Sequence, residues 1–113
     1  MKLTSEQAGD VSVVRVEEPR IMYPMLGEFS AAVTALIAAG RRRIVIDLTP
    51  VTYIDSATIG CFMDLYRQSD AAGGRLKLSG VTKRVETMLT MTGAHHFIDI
   101  HADEPSAVRS FEA

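Results

Sequence analysis

Two residues with reactive or ionisable side chains, Asp55 and Ser56, follow the apolar run "VTYI", and a pattern with helical period begins directly after them. Aspartate and serine are favoured at helix N-termini because their side-chain oxygens accept hydrogen bonds from free N–H groups of the first turn. The same N–H groups and the helix dipole also stabilise anions. The residue types therefore favour a helix cap when taken alone, and they are also compatible with a serine that carries a phosphate of roughly −1.5 to −2 charges.

Other chemistry has weaker support in the sequence. A catalytic serine would need a nearby base and a strand-helix elbow of the Gly-x-Ser-x-Gly type, and the residues around Ser56 do not match that pattern. A metal site at His95, His96 and His101 is not expected, because adjacent histidines point to different sides of an extended backbone and Cys61 lies far away in a helix. We predict a solvated turn at these histidines instead. We therefore predict no enzymatic activity, no catalytic residue, no metal site and no cofactor.

Composition narrows the classes of partner. Twelve Lys and Arg against fourteen Asp and Glu give a formal net charge of −2, so a nucleic-acid partner is not expected. The basic run 41–43 follows a predicted helix, where cations favour the C-terminal end of the dipole. The single Cys61, the absence of a leader-like segment and the absence of a long apolar stretch predict a cytoplasmic protein without membrane contact of its own.

Apolar periodicity predicts alternating strands and helices. A hairpin turning at Gly9 and Asp10 comes first. The later elements are a helix within 20–40, a buried strand in "RRRIVIDL", a helix from Ser56 to Gly73, a strand in "RLKLSG", a helix from Thr82 to Gly93, a strand in "FIDI", and a helix from Pro105 with Val108 and Phe111 inward.

Strands separated by helices require crossover connections, so the sequence predicts an α/β fold with one mixed, mostly parallel β-sheet. The N-terminal hairpin adds the antiparallel element, three to four α-helices cover the sheet, and residues 1–113 form one domain. The helix that follows Asp55 begins at the C-terminal edge of this sheet, where α/β proteins place their sites. Ser56 is therefore expected to be exposed.

The stretch "VTYIDSATIGCFMDLYRQSDAAGGRLKLSGVTKRVETMLTMTG", residues 51–93, resembles the STAS-domain anti-sigma-factor antagonists. The resemblance lies in an apolar strand running into Asp-Ser, a helix, Gly-Gly, a further strand, and a helix ending near Thr-Gly. It implies the STAS fold and a non-enzymatic protein that regulates sigma-factor-dependent transcription by partner switching.

The resemblance also implies roles for residues at this junction. Ser56 would be the phosphate acceptor, with Thr58 as the alternative acceptor, and Asp55, Ser56, Ala57, Thr58 and Ile59 would form the partner-binding segment. The unphosphorylated protein would bind an anti-sigma factor that is also a serine kinase. Phosphorylation would end that binding, and a phosphatase would restore it.

Two positions depart from the family pattern. Thr58 stands where the family usually has glycine, and its branched side chain is expected to crowd a partner surface. The segment "EEPRIMYPML" lacks the aspartate that the family carries after its second strand. These departures leave an alternative open, a STAS scaffold without a phosphoswitch, in a signalling assembly or a membrane-transport complex. An exposed sheet edge would also permit a homodimer.

Overall fold

A β-hairpin opens the chain, as predicted. In the computed structural model, which describes residues 1–112, strands β1 (Leu3–Ala8) and β2 (Val11–Val16) are antiparallel and are joined at Gly9 and Asp10. The last residue of the predicted domain 1–113 lies outside the described residues.

Three crossovers then build a parallel sheet onto β2. The elements after the hairpin are β3 (Arg20–Ile21), a 3-10 turn (Tyr23–Met25), α1 (Leu26–Ala38), β4 (Arg43–Asp47), β5 (Tyr53–Ile54), α2 (Ser56–Ala71), β6 (Arg75–Ser79), α3 (Lys83–Thr92), a second 3-10 turn (Ala94–His96), β7 (Ile100–His101) and α4 (Glu104–Arg109). The strand order in the main sheet is β1-β2-β4-β6-β7, and every pair except β1 and β2 is parallel, which confirms the mixed, mostly parallel sheet.

The two faces of the sheet are covered unequally. One face packs beneath α1, α2 and α3 in a large apolar cluster. In this cluster the Phe29 and Phe62 rings pack edge to face, with their centres 5.7 Å apart. On the opposite face, Val11, Val13 and Val45 form a small cluster with Ala107 of the six-residue α4, and Val108 and Phe111 pack against it. Burial on both faces explains the nearly continuous apolar run of β4.

A second sheet, which is not among the predicted elements, joins the two loops at the C-terminal edge of the main sheet. Strand β3 pairs in parallel with β5 through two residues on each side. The Thr52 N–H and hydroxyl also donate to the Pro19 carbonyl at 2.8 and 3.1 Å. Strands this short carry no periodic signal, so only long-range pairing reveals them. Their effect is to hold residues 19–25 beside the start of α2.

Two predictions near the C-terminus are wrong in their boundaries. The strand predicted in "FIDI", residues 97–100, is present only as Ile100–His101, because Gly93 ends α3 in the left-handed conformation and the chain makes a 3-10 turn first. Helix α4 ends at Arg109, so Phe111 follows the helix, although both Val108 and Phe111 pack inward as predicted. Short apolar runs do not distinguish strand from turn.

A buried polar cluster ties β4 to β6 at the C-terminal edge. Asp47 Oδ1 accepts hydrogen bonds from the Ser79 hydroxyl at 2.8 Å and the Thr49 hydroxyl at 3.0 Å. Gly80 follows with φ of 65°, and a Cβ at this position would overlap Thr49 Oγ1 and lie 2.8 Å from Asp47 Oδ1. Glycine is therefore required here for its conformation and for space.

We predict that Gly80→Ala destabilises the protein far more than Gly9→Ala. Gly9 has the same φ of 65° but open space where a Cβ would lie, so its substitution costs only about 1 kcal/mol of backbone strain. Gly80→Ala adds overpacking against the Asp47 cluster, for a total of about 3 kcal/mol. Urea unfolding of both variants measures the difference in free energy of unfolding. Equal losses in the two variants would show that the side chains around Asp47 accommodate the added methyl group without an energetic penalty.

Candidate functional site

The carboxylate of Asp55 joins two segments at the C-terminal edge of the sheet, the first turn of α2 and the loop after β3. As the N-cap of α2, it accepts the Thr58 N–H at 2.9 Å and the Thr58 hydroxyl at 2.6 Å on Oδ1. Its Oδ2 accepts the Tyr23 N–H at 2.8 Å, from the loop that follows β3. Burial by itself would raise the pKa of Asp55, but the hydrogen bonds from Thr58 and Tyr23 outweigh it and lower the pKa below the ordinary value of 3.8.

Thr58 is fully buried, with 0% of its surface exposed. Its hydroxyl lies 2.6 Å from Asp55 Oδ1 and 3.0 Å from the Ile21 carbonyl oxygen, so its one proton is shared between two acceptors. The expectation that this side chain crowds a partner is wrong, because it points inward. In this conformation a kinase cannot reach the Thr58 hydroxyl. The buried side chain is likewise not available for contact with a partner protein.

Ser56 is the first residue of α2, and its side chain is exposed as predicted. Because Asp55 provides the cap, the Ser56 hydroxyl has no hydrogen-bond partner within residues 1–112. The N–H groups of Ser56 and Ala57 also lack partners in this part of the chain, as expected for a first helical turn. The junction therefore presents a free hydroxyl beside two free backbone donors.

The loop after β3 adds an aromatic side chain, Tyr23, that is not among the predicted site residues. Tyr23 is 72% exposed, and its backbone is held to Asp55. Although "EEPRIMYPML" lacks the family's aspartate, this loop is fixed to the junction through a backbone N–H, which any residue except proline supplies. The dipeptide Tyr23-Pro24 at the start of a turn is the signal that could have indicated an ordered, exposed loop.

An open groove, which we name the α2 groove, continues from Ser56 along the helix. Ile59, Gly60 and Met63 follow Ser56 at i+3, i+4 and i+7, so all four share one helix face. The groove has a volume of about 410 Å³ and is lined by Ile59, Gly60, Met63, Asp64, Arg67, Thr92, Gly93, Ala94 and Phe97. Phe97 at its rim is 56% exposed. Ile59, predicted as a partner contact, is 8% exposed and forms part of this wall.

The remaining candidate residues form no further centre. Within residues 1–112, no group of three His, Cys, Asp or Glu side chains is arranged to hold a metal ion. The ring centres of His95 and His96 lie 3.9 Å apart, with the rings tilted by 37°, in a 3-10 turn, so the expectation that the two side chains point apart is wrong. Burial raises the pKa of the half-buried Cys61 thiol, and the Asp64 carboxylate raises it further.

We predict that Asp55→Asn lowers the free energy of unfolding by about 1 to 2 kcal/mol at pH 7, because a neutral amide caps less well and cannot accept from both Tyr23 and Thr58 with two oxygens. The lowered pKa means that the folded state favours ionised Asp55. Its contribution is complete above the ordinary value of 3.8 and is lost as the pH falls below it. Urea unfolding at pH 7 and pH 3 should show that the difference in free energy of unfolding between the two proteins becomes smaller at the lower pH. A difference that is the same at both pH values would contradict this role.

Comparisons with known proteins agree with this architecture. A family model described as STAS domain matches residues 2–107. The anti-sigma-B factor antagonist of Bacillus subtilis (strain 168) is 33% identical over 62 residues, which span 55% of this chain and 57% of that relative. Part of the relative's length therefore lies outside the match.

Two solved structures share the fold at low sequence identity. The Bacillus cell fate determinant SpoIIAA in its phosphorylated form matches with a TM-score of 0.76 and 17% identity, over 98% of this chain and all of that one. The murine anion transporter Solute Carrier 26 family member A9 matches with a TM-score of 0.76 and 15% identity, over 91% of this chain and 18% of the transporter.

Residues 1–112 contain no helix that is both long enough and apolar enough to cross a membrane. Since the family model extends over almost the whole chain, this protein belongs to the STAS domain family.

Proposed function

We propose that this protein is an anti-sigma-factor antagonist that works by partner switching. Its unphosphorylated form binds an anti-sigma factor with serine kinase activity, and the sigma factor is thereby released. The kinase then phosphorylates Ser56, the complex dissociates, and a phosphatase returns the protein to its binding form. The protein acts as a binding component in the cytoplasm and is not itself an enzyme.

The observation that carries this proposal is the division of roles between Asp55 and Ser56. A serine that caps a helix is held by the backbone, and modifying it would break the cap. Here Asp55 holds the cap, and Ser56 is exposed with an unpartnered hydroxyl among residues 1–112. A kinase could reach this oxygen without unfolding α2. The similarity to an anti-sigma-B factor antagonist and to a phosphorylated SpoIIAA structure supports the same role.

Electrostatics supports a switch that leaves the fold intact. A phosphate on Ser56 would lie next to the free N–H groups of Ser56 and Ala57 and to the positive end of the helix dipole, both of which stabilise an anion. Its charge of roughly −1.5 to −2 would also stand beside the ionised Asp55, so the local surface becomes strongly negative. A partner that fits the neutral hydroxyl loses its contact by repulsion and by desolvation of the phosphate.

The α2 groove and Tyr23 supply the binding area on either side of the switch. Phosphorylation at one point can control a whole interface only if Ser56 lies within it. Tyr23 is fixed to Asp55 by its backbone, and the groove shares a helix face with Ser56. Exposed aromatic side chains such as Tyr23 and Phe97 are typical anchors of protein interfaces. Ser56 therefore lies between two candidate anchoring regions.

A second candidate function is a STAS scaffold without a phosphoswitch. The specific observation in its favour is the fold match to a segment that makes up 18% of a murine anion transporter. In such a role the same surface would bind a partner permanently. Intact mass spectrometry of the protein from its native host separates the two functions, since stoichiometric phosphate on Ser56 contradicts the scaffold and its absence under all growth and stress conditions favours it.

We predict that Ser56→Asp abolishes capture of the anti-sigma factor kinase from an extract of the native host, whereas Ser5→Asp does not. Ser5 is exposed on β1, so its substitution adds the same charge far from the junction. The captured kinase should transfer phosphate from ATP to the wild-type protein and to Thr58→Val, but not to Ser56→Ala. Quantitative mass spectrometry of the captures and site mapping of the phosphate provide the readouts.

Two outcomes would contradict this proposal. Equal recovery of partners by wild type and Ser56→Asp would show that charge at this position does not control binding. Phosphate transfer to Ser56→Ala would show that the acceptor lies elsewhere in the chain.

We further predict that Phe97→Ala weakens binding of the purified kinase by about tenfold or more, the effect typical of losing an anchoring aromatic. Met91→Ala is the matched control, because Met91 is 81% exposed on the neighbouring helix α3 but does not line the α2 groove. Calorimetric titration with each variant measures the affinities. If Phe97→Ala and Met91→Ala bind as tightly as the wild type, the groove is not part of the interface.

A further inference from the structure

A cluster of cations lies at the edge of the sheet opposite to Ser56. Arg43 begins β4 and Arg75 begins β6, so both mark the N-terminal ends of parallel strands. They open onto a cleft of about 640 Å³, which we name the basic cleft. It is lined by Arg42, Arg43, Gly73, Gly74, Arg75, Lys77, Asp99, Ser110 and Phe111.

The strand register forces these positive charges together. Arg43 and Arg75 are direct partners in the β4–β6 ladder, and the Arg75 N–H donates to the Arg42 carbonyl at 2.7 Å. Gly74 approaches the same segment so closely that an added Cβ would lie 2.5 Å from the Arg42 carbonyl oxygen. Like charges on neighbouring strands destabilise a sheet unless anions compensate them.

Within the described residues, carboxylates neutralise only part of the positive charge of the basic cleft. Asp10 pairs with Arg43 at 3.1 Å, and Asp99 lies 3.8 Å from the Lys77 ammonium. Among residues 1–112, no carboxylate lies within ion-pair distance of Arg42 or Arg75, and the Arg75 guanidinium meets only the neutral Tyr66 hydroxyl at 3.1 Å. Four cations against these two carboxylates leave two positive charges. A phosphate group, with roughly −1.5 to −2 charges near pH 7, would balance them.

Lys77 is the buried member of the cluster. It lies in the middle of β6, and its side chain is only 9% exposed. The ammonium donates to Ser110 Oγ at 2.7 Å and lies 4.3 Å from the centre of the Phe111 ring. An ammonium has three protons to donate, and only one of them has a partner at hydrogen-bond distance in this part of the chain. Among residues 1–112, the Asp99 carboxylate at 3.8 Å is the one anion within ion-pair distance of Lys77, so two donors of the ammonium remain open to a ligand.

Helix capping explains only part of the cluster. Arg41, Arg42 and Arg43 follow α1, where cations are favoured by the helix dipole. Arg75 and Lys77 belong to β6 and gain nothing from that dipole. Their convergence on the same cleft, with one of them buried, therefore needs a different explanation.

We propose that the basic cleft binds a phosphate group. The guanidinium groups of Arg42 and Arg75, at the rim of the cleft, donate hydrogen bonds to the phosphate oxygens, and the Lys77 ammonium donates from the floor of the cleft. Gly73 and Gly74 leave one side of the cleft free of side chains. The group belongs either to a soluble phosphate compound or to a phospholipid headgroup, and the chemistry of recognition is the same for both. This site is independent of the switch at Ser56, since the two lie at opposite edges of the sheet.

The test is an amide NMR titration of the whole protein at low salt with inorganic phosphate and, separately, with inorganic pyrophosphate. A second arm measures sedimentation with phosphatidylcholine vesicles that contain phosphatidic acid. We expect saturable shifts at residues 42–43, 74–77 and 110–111, or sedimentation with the vesicles, and which arm responds identifies the source of the phosphate. Citrate, a carboxylate of similar charge, should bind at least several-fold more weakly than pyrophosphate.

Matched variants distinguish the site from general attraction to a positive surface. Arg42→Gln combined with Arg75→Gln should weaken the interaction by about tenfold or more, while Arg41→Gln, an exposed neighbour outside the cleft, should change it less than about twofold. Lys77→Met keeps the buried stem and should weaken binding as well. The proposal fails if neither arm shows saturable binding, if shifts map elsewhere, or if Arg41→Gln has as large an effect as the double variant.

Discussion

The arrangement of the C-terminal edge depends on one carboxylate. Asp55 accepts hydrogen bonds from the first turn of α2 and from the loop after β3, so a single side chain fixes where the helix begins and where the neighbouring loop lies. The two-residue β3–β5 pairing is too short to be stable by itself, and the Thr58 bond to the Ile21 carbonyl adds to it. Without Asp55, these weak contacts would have no common partner.

This arrangement separates the structural role from the chemical one. Asp55 and Thr58 are used inside the junction, where their hydrogen-bonding groups face each other and the backbone. Ser56 stands between them in sequence but points outward, because successive residues of a helix start face different directions. The junction can therefore accept a modification on its surface while its internal hydrogen bonds remain in place.

The unequal covering of the sheet has consequences at the other edge. Three helices cover one face, whereas the short α4 covers only part of the opposite face, and Lys77 lies there beside the Ser110 hydroxyl and the Phe111 ring. Parallel strands that begin at the same edge bring their first residues together. In this chain both first residues of β4 and β6 are arginines, and the positive charge collects there.

The sequence by itself determined the order of the main elements, because apolar periods of two and 3.6 residues and the glycines at helix ends are local signals. It also indicated the Asp55–Ser56 junction. Only the tertiary structure decided which of the two residues is the cap, that Thr58 faces inward, and that Tyr23 and Phe97 flank the site. It likewise decided that Arg75 joins Arg42 and Lys77 in one cleft. These features depend on contacts between residues distant in the chain, and burial and long-range hydrogen bonding have no local pattern from which they could be predicted.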